Sequence, residues 1–444
     1  MRLNSDPGNV NDNGLPPSDR LPRADSRGAP AQLLRTFAAL RHRNYRLFFA
    51  GQLVSLIGTW MQQMALAWLV YQLTNSPLLL GLISGIGSLP MAFFSLIGGA
   101  VADRVNKRRI LLTTQSVAMV LAFALAAMTG AGWIRAWHVA VLTAFSGTMM
   151  AFDMPARQAF VVEMVGKEDL MNAIALNSSI FNSARILGPA IAGVLVATFG
   201  PAWCFFINGL SFLAVLVGLL LMRFVPRELE RRPRGVVGDT LDGLRYVRSN
   251  RLVLGLAALL AVFQMFGYSY NVLMPIFARD ILRAGPQGLG LLMASGAAGA
   301  LVGALLVASL GSYPHRERVL FAGGFVLVGA LVAFALSHAL HLSMAMLALA
   351  GLGGVSVMSV ANTMIQTSVP DHMRGRVMGV WALVFASSAP LGSLQAGTLA
   401  QYLTAPVAVL IGAALTLGGT TAAMFGWRRF RKARPPDPES ACSG

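Results

Sequence analysis

Charge is what this chain has least of. Only 12% of its 444 residues are Asp, Glu, Lys or Arg, about half the fraction of an ordinary soluble protein, while 55% are hydrophobic. No water-soluble fold hides that much apolar surface, so the class is an integral membrane protein. Cysteine is scarce too: Cys204 and Cys442 are the only two, which excludes a disulfide framework and a cysteine metal site. No G-x-x-x-x-G-K-[ST] phosphate loop occurs. VGKED at 165–169 lacks the leading Gly and the hydroxyl, which argues against an ATP-driven pump. There is no H-E-x-x-H or G-x-S-G pattern, so no enzyme is expected. His338 and His341 lie three apart with no acid nearby, so no metal and no cofactor is expected.

What is present is a series of apolar runs, each about the 20 residues a bilayer-crossing helix needs. They lie near 47–71, 77–101, 110–130, 137–156, 173–198 and 202–222, then near 252–278, 286–310, 319–337, 342–364, 377–402 and 405–427. These twelve runs predict an all-α membrane protein of two six-helix bundles, 46–222 and 252–427. Residues 223–251 form the linker, with a surface helix expected over 239–248. Residues 1–45 and 428–444 read as polar, loose tails. Of the 35 Lys and Arg, 31 fall on the side of the two termini; Arg135, Arg279 and Arg283 fall opposite and Arg185 inside a span. That bias puts both termini in the cytoplasm. The bases sit in short loops and tails, not on a soluble basic domain, so nucleic acid is not an expected partner.

The halves repeat. At a shift of 209, Pro77, Gly81 and Gly87 match Pro286, Gly290 and Gly296. At a shift of 204, Phe181, Leu187, Gly188 and Gly193 match Phe385, Leu391, Gly392 and Gly397. Two parallel six-helix repeats around a central path are a transporter architecture, with the substrate near the midplane. The same arrangement, with G-x-x-x-D-R-x-x-K-R at 99–108 between spans 2 and 3, resembles the major facilitator superfamily. RNYRLFFAGQLVSLIGTWM, MPARQAF, NSARILGPAIAG, PQGLGLL and VPDHMRGRVMG resemble its bacterial enterobactin-exporter and macrolide-efflux group.

That resemblance implies roles. Gly99 would let span 2 approach its neighbour. Asp103, Arg104, Lys107 and Arg108 would form a cytoplasmic gate, and Asp153 at the inner end of span 4 would close its charge relay. Asn106 stands where the family has Gly, and would keep the turn by tolerating left-handed backbone angles. Ser312 stands where Asp103 would repeat, so the gate is asymmetric. Gly188, Pro189 and Gly193 resemble an antiporter motif, with Ala192 in place of a Gly. It implies export in exchange for protons.

The residues themselves add candidates. Ser178, Asn182 and Arg185 share a face of span 5 at spacings of four and three. A mid-membrane Arg needs a polar cavity or a partner; a substrate or coupling role and a structural role both fit. Ser55, Thr59 and Gln62 of span 1 coincide, at the shift of 209, with Gln264, Tyr268 and Asn271 of span 7. They read either as a pseudo-symmetric cavity lining or as interhelix hydrogen bonds. Met61, Met64, Trp60, Trp68 and Trp381 fit a cavity wall or plain packing. No carboxylate falls at mid-membrane, which favours a neutral or anionic amphiphile over a cationic one. The proton carrier is left among Asp103, Asp153 and His138. The expected protein is therefore a monomer in the bacterial inner membrane, in contact with bilayer lipid, protons and a small-molecule substrate. A lipid translocator of the same fold is the alternative.

Overall fold

The computed structural model describes residues 37–166, 168–223, 236–311, 313 and 315–433. Most of the expected N-terminal tail, linker residues 224–235, Ser312 and the chain from 434 lie outside the described residues. Among those described, twelve helices are long and apolar enough to cross a membrane. They are α1 Arg43–Thr74, α2 Pro77–Arg104, α3 Lys107–Gly130, α4 Ala136–Val165, α5 Leu170–Phe199 and α6 Pro201–Leu221, followed by α7 Arg251–Ile281, α8 Gly285–Ser309, α9 Arg316–Leu336, α10 Leu340–Ser368, α11 Asp371–Tyr402 and α12 Ala405–Ala433. A 3-10 turn, Ala38–Arg41, precedes α1. The linker helix runs Val236–Ser249, longer than the stretch expected.

Local chemistry sets the joints. Asn75 takes a left-handed φ of 48° to end α1, and the Ser76 side chain accepts from Leu79 N while Pro77 opens α2. Gly200 at φ 84° turns the chain between α5 and α6, with Pro201 next. Asn250 caps α7 by accepting from Leu252 N and Val253 N. Asn106 keeps its turn differently from the expectation. Its φ is −58°, not left-handed, and its side chain accepts from Arg109 N as the cap of α3. A capping residue needs only an extended backbone and an oxygen, which Asn supplies and Gly does not.

Alternate joints fall on one terminus-bearing face and the rest on the opposite, far face. In the first half α1 packs on α5 and α6, α2 on α4, and α3 on α6; in the second α8 packs on α10, and α9 on α10 and α12. The halves meet along α2 with α11 and α5 with α8. Small residues make these contacts possible, as membrane helices require. A Cβ on Gly81 would stand 2.9 Å from Gly397 Cα, and one on Gly290 3.0 Å from Gly193 Cα. A Cβ on Gly397 would stand 2.6 Å from Pro77 O, and one on Gly193 3.0 Å from Pro286 O. These are the residues the sequence repeat pairs, so the two interfaces are copies of one contact.

α7 departs from a single regular helix. π-helical turns occupy Phe263–Gly267 and Phe277–Ile281, and the helix breaks between them at Tyr268 and Ser269. Average hydropathy does not register such a break, because the apolar residues on either side outweigh the polar Gln264, Ser269 and Asn271.

Candidate functional site

At the terminus-bearing face, Asp103 and Arg104 end α2. Both are exposed, and neither has an ion pair or hydrogen bond among the described residues. Lys107 opens α3 and pairs with Glu163 near the end of α4 at 2.7 Å. Arg108 donates from Nε to Leu219 O at 2.8 Å and from Nη2 to Leu220 O at 3.1 Å, closing the C-terminus of α6. So Lys107 is not bonded to Asp153 here, because Glu163 lies nearer the loop. The close helix approach is also displaced by one residue. A Cβ on Gly99 would meet nothing within 4 Å, while Gly98 lies against Ala151 O and Phe152 of α4.

Asp153 anchors a separate cluster. It is 6% exposed. It accepts from Thr114 Oγ1 at 2.9 Å and Gln115 Nε2 at 2.8 Å, and it pairs with Arg157 one turn on. Arg157 also donates to Gln52 Oε1 at 2.6 Å, which ties α4 to α1. Three buried atoms of this cluster, Gln52 Nε2, Gln115 Oε1 and Arg157 Nε, have no hydrogen-bond partner among the described residues. The apolar run placed Arg157 beyond span 4, but α4 continues to Val165 and carries it inside the helix. Arg185 is therefore not the only base within a transmembrane helix.

Arg185 sits fifteen residues from the start of α5 and fourteen from its end. Gly188 on the same helix faces Ile57, Trp60 and Met61 of α1, and Gly193 faces Pro286 and Gln287 of α8. At about 100° per residue, Arg185 falls between these two contacts, roughly 60° from the first and 80° from the second. It thus points to the junction of the halves. Its guanidinium lies 5.7 Å from the Trp60 ring centroid, and Trp60 meets Phe181 edge-on at 5.7 Å. Among the described residues Arg185 has no ion pair or hydrogen bond. Trp60 stands eight residues beyond Gln52 along α1, about 12 Å deeper than the Asp153 cluster.

The other expected lining residues divide. Asn182 Nδ2 donates to Ser178 O and Thr59 Oγ1 to Ser55 O, each within its own helix. Ser55 is buried, and Gln62 accepts from Asn208 of α6 at 2.7 Å, so on that side the stripe is an interhelix bond. Thr59 and Gln63 are exposed. Asn271 donates to Tyr268 O at 2.9 Å and is exposed; Gln264 is half-buried. The Tyr268 hydroxyl lies against α10 at Gly354. Gly188, Pro189 and Gly193 come together as one packing surface, with Gly290 of α8 fitting against Pro189 O. His138 accepts from Arg135 N at 3.1 Å and so caps α4.

At the far face the halves are fastened. The Tyr71 hydroxyl, at the end of α1, donates to Asp280 of α7. Arg279 Nη1 donates to Asn75 Oδ1 at 2.6 Å and lies 5.3 Å from the Tyr71 ring centroid. Ser76 Oγ donates to Gln401 Oε1 at 2.9 Å. The hydrogen bonds joining the halves among the described residues lie on this face. Glu163, Arg157, Tyr71 and Asp280 were not singled out from the sequence. The i, i+4 spacing of Asp153 and Arg157 was a legible signal, as was the 209-residue separation of Tyr71 and Asp280.

Residues 34–436 match the family model described as transmembrane secretion effector. The chain is 29% identical over 351 residues to the multidrug efflux pump Tap of Mycolicibacterium fortuitum, covering 76% of this chain and 84% of Tap. It is 25% identical over 357 residues to the staphyloferrin A transporter of Staphylococcus aureus, covering 79% of this chain and 87% of that protein. The structure of a bacterial homologue of the human lysosomal transporter Spinster, inward-facing and unoccupied, matches with a TM-score of 0.72 at 14% identity. That match covers 89% of this chain and 99% of the homologue, and it is a likeness of fold.

Proposed function

The chain belongs to the transmembrane secretion effector family of the major facilitator superfamily, and from that membership we propose that it exports a small amphiphilic organic molecule, siderophore-like or drug-like, in exchange for protons. Export runs from the cytoplasm across the bacterial inner membrane by alternating access, and the monomer is the working unit. The excess of Lys and Arg at the terminus-bearing face makes that face cytoplasmic. The far face is then external, and the conformation described is fastened outside and free to load from inside.

The observation that carries this reading is the mid-depth patch at the junction of the halves, Arg185 over Trp60 in the sector between α1 and α8, beneath the fastened far face. A site shared by two rocking bundles is what alternating access requires. Names of the relatives agree: one is a multidrug efflux pump and another a siderophore transporter. Asp103 and Arg104 gain partners when the cytoplasmic face closes, while Lys107 and Arg108 stay fixed on Glu163 and α6. Gly188, Pro189 and Gly193 give α5 the close seat between α1 and α8 on which the halves rock.

Asp153 is the proton carrier in this reading, because among the described residues it is the one carboxylate buried inside a transmembrane helix. Protonation removes the charge that holds Arg157, Thr114 and Gln115, and frees α4 to move against α1 and α3. The test compares growth medium with cell extract by mass spectrometry for wild type, a deletion strain and Asp153→Asn. A metabolite lost from the medium and retained in cells of both mutants supports export and coupling. Retention in the deletion strain alone removes Asp153 from the coupling. No retained metabolite, with an altered distribution of labelled phospholipid between leaflets, replaces this reading with a lipid translocator.

A further inference from the structure

Arg185 is a cation at the middle of α5 without an anion among the described residues. It stands half-buried in the sector between α1 and α8. Among the described residues no carboxylate pairs with it. The buried carboxylate closest in depth, Asp153, is taken by Arg157, Thr114 and Gln115 about 12 Å nearer the cytoplasm. An unpaired charge in a bilayer is costly, so such a residue calls for a counter-charge in at least one state of the cycle. What surrounds it is aromatic: Trp60 under the guanidinium, and Phe181 edge-on to Trp60 and 44% exposed.

Building on the export reading, we propose that the cargo is an aromatic anion, whose negative group neutralises Arg185 and whose ring packs on Trp60 and Phe181. The two recognition elements are separable. Arg185 selects charge, because a planar guanidinium offers parallel donors to a carboxylate or phenolate. Trp60 and Phe181 select aromaticity by offset or edge-to-face stacking. A cationic cargo is disfavoured twice, by repulsion from Arg185 and by the lack, among the described residues, of a free carboxylate at this depth.

The test is equilibrium binding to the full chain in lipid nanodiscs, with four probes of similar size. These are 2-naphthoate, its neutral methyl ester, 2-naphthylmethylammonium and the saturated decalin-2-carboxylate. Wild type is expected to bind 2-naphthoate at least about ten-fold more tightly than the ester or the ammonium, the size of one charge-assisted hydrogen bond. Arg185→Gln removes that preference and Arg185→Lys keeps it. Trp60→Leu brings naphthoate down towards decalin-2-carboxylate while leaving the preference for anions. Equal or tighter binding of the ammonium by wild type overturns the proposal, as does an unchanged preference in Arg185→Gln. The wild-type comparison stands even if a variant fails to fold. An anion preference without export in the metabolite assay would overturn the export reading alone. Export by a protein with no anion preference would overturn this proposal alone.

Discussion

Tyr71 and Asp280 stand 209 positions apart, the register that relates the two halves of the chain, and the hydroxyl of one donates to the carboxylate of the other. They are equivalent positions at the far ends of α1 and α7. Where two repeats surround a pseudo-twofold axis, equivalent positions near that axis face each other. Two aspartates there would oppose acceptor to acceptor, and two tyrosines would make only a neutral hydroxyl pair. A Tyr on one copy and an Asp on the other turn the symmetric meeting point into a hydrogen bond, and Arg279 lies beside both.

This contact joins the halves at the far face, and removing it is expected to loosen that face. Asp280 is 46% exposed at its side chain, so its share is small, about 1 kcal/mol or less. Tyr71→Phe and Asp280→Asn should each raise the far-face-open population a few-fold. Spin labels at Leu73→Cys and Leu403→Cys, both exposed, report the separation by electron-electron resonance. An unchanged distance distribution in both variants would deny the contact any gating role.

The fold was legible because it is written in composition and period. Apolar runs gave the spans, and the spacing of Pro77, Gly81, Gly193 and their repeats named the residues that touch across the halves. The site was legible only in part. Arg185 could be read because a base inside an apolar run is conspicuous. Arg157 could not, because the run ended one residue before it while α4 continued to Val165 through polar residues. Lys107 and Asp153 were coupled by resemblance; in three dimensions Glu163 takes the lysine. Gln62 showed its polarity but not its partner, since Asn208 lies 146 residues away. The break in α7 left no mark on the average hydropathy of its span.

The glycine seats provide a paired test. Alanine at Gly81 meets Ser393 O at 2.5 Å and Gly397 Cα at 2.9 Å; alanine at Gly290 meets Pro189 O and Gly193 Cα. The opposing atoms are backbone and do not yield as a flexible side chain does, so each substitution costs about 1–3 kcal/mol of far-face closure. Gly81→Ala and Gly290→Ala should therefore open the far face to similar extents in the same spin-label measurement. Gly99→Ala, with open space around it, leaves this conformation unchanged. A larger effect at Gly99 than at Gly81 or Gly290 would reject the assignment of the close contacts.

Asp153 and Arg157 should behave as one unit. Arg157→Leu strands a carboxylate that is 6% exposed, whereas Asp153→Asn leaves a 27% exposed guanidinium still bonded to Gln52. Breaking a buried pair from one side costs roughly 3–5 kcal/mol, less here for the better-hydrated arginine. Thermal unfolding in detergent should rank Arg157→Leu below Asp153→Asn. The double variant Asp153→Asn with Arg157→Leu should lose less than the sum of the two single losses. Additive losses would show that the two side chains are energetically independent.

Protonation of Asp169 is expected to release the Ala38–Arg41 turn that precedes α1. His42 and Arg41 both reach its carboxylate, at 2.7 Å and 2.8 Å, and Ala39 N donates to Asn172 Oδ1 just beyond. The hydrogen bond from His42, with the charge and hydrogen bond of Arg41, holds the Asp169 carboxyl below the usual carboxylate range against the smaller opposing effect of burial. A depressed native pKa means the docking is fully present above the ordinary carboxylate value near pH 4 and is lost as pH falls through the lower native value. A nitroxide at Phe37→Cys should stay immobilised from neutral pH down to about 4 and gain mobility below it. Asp169→Asn should show the mobile spectrum at every pH, since the neutral amide holds neither ion pair. A label that loosens near neutral pH, or one indifferent to Asp169→Asn, would place the anchor of the Ala38–Arg41 turn elsewhere.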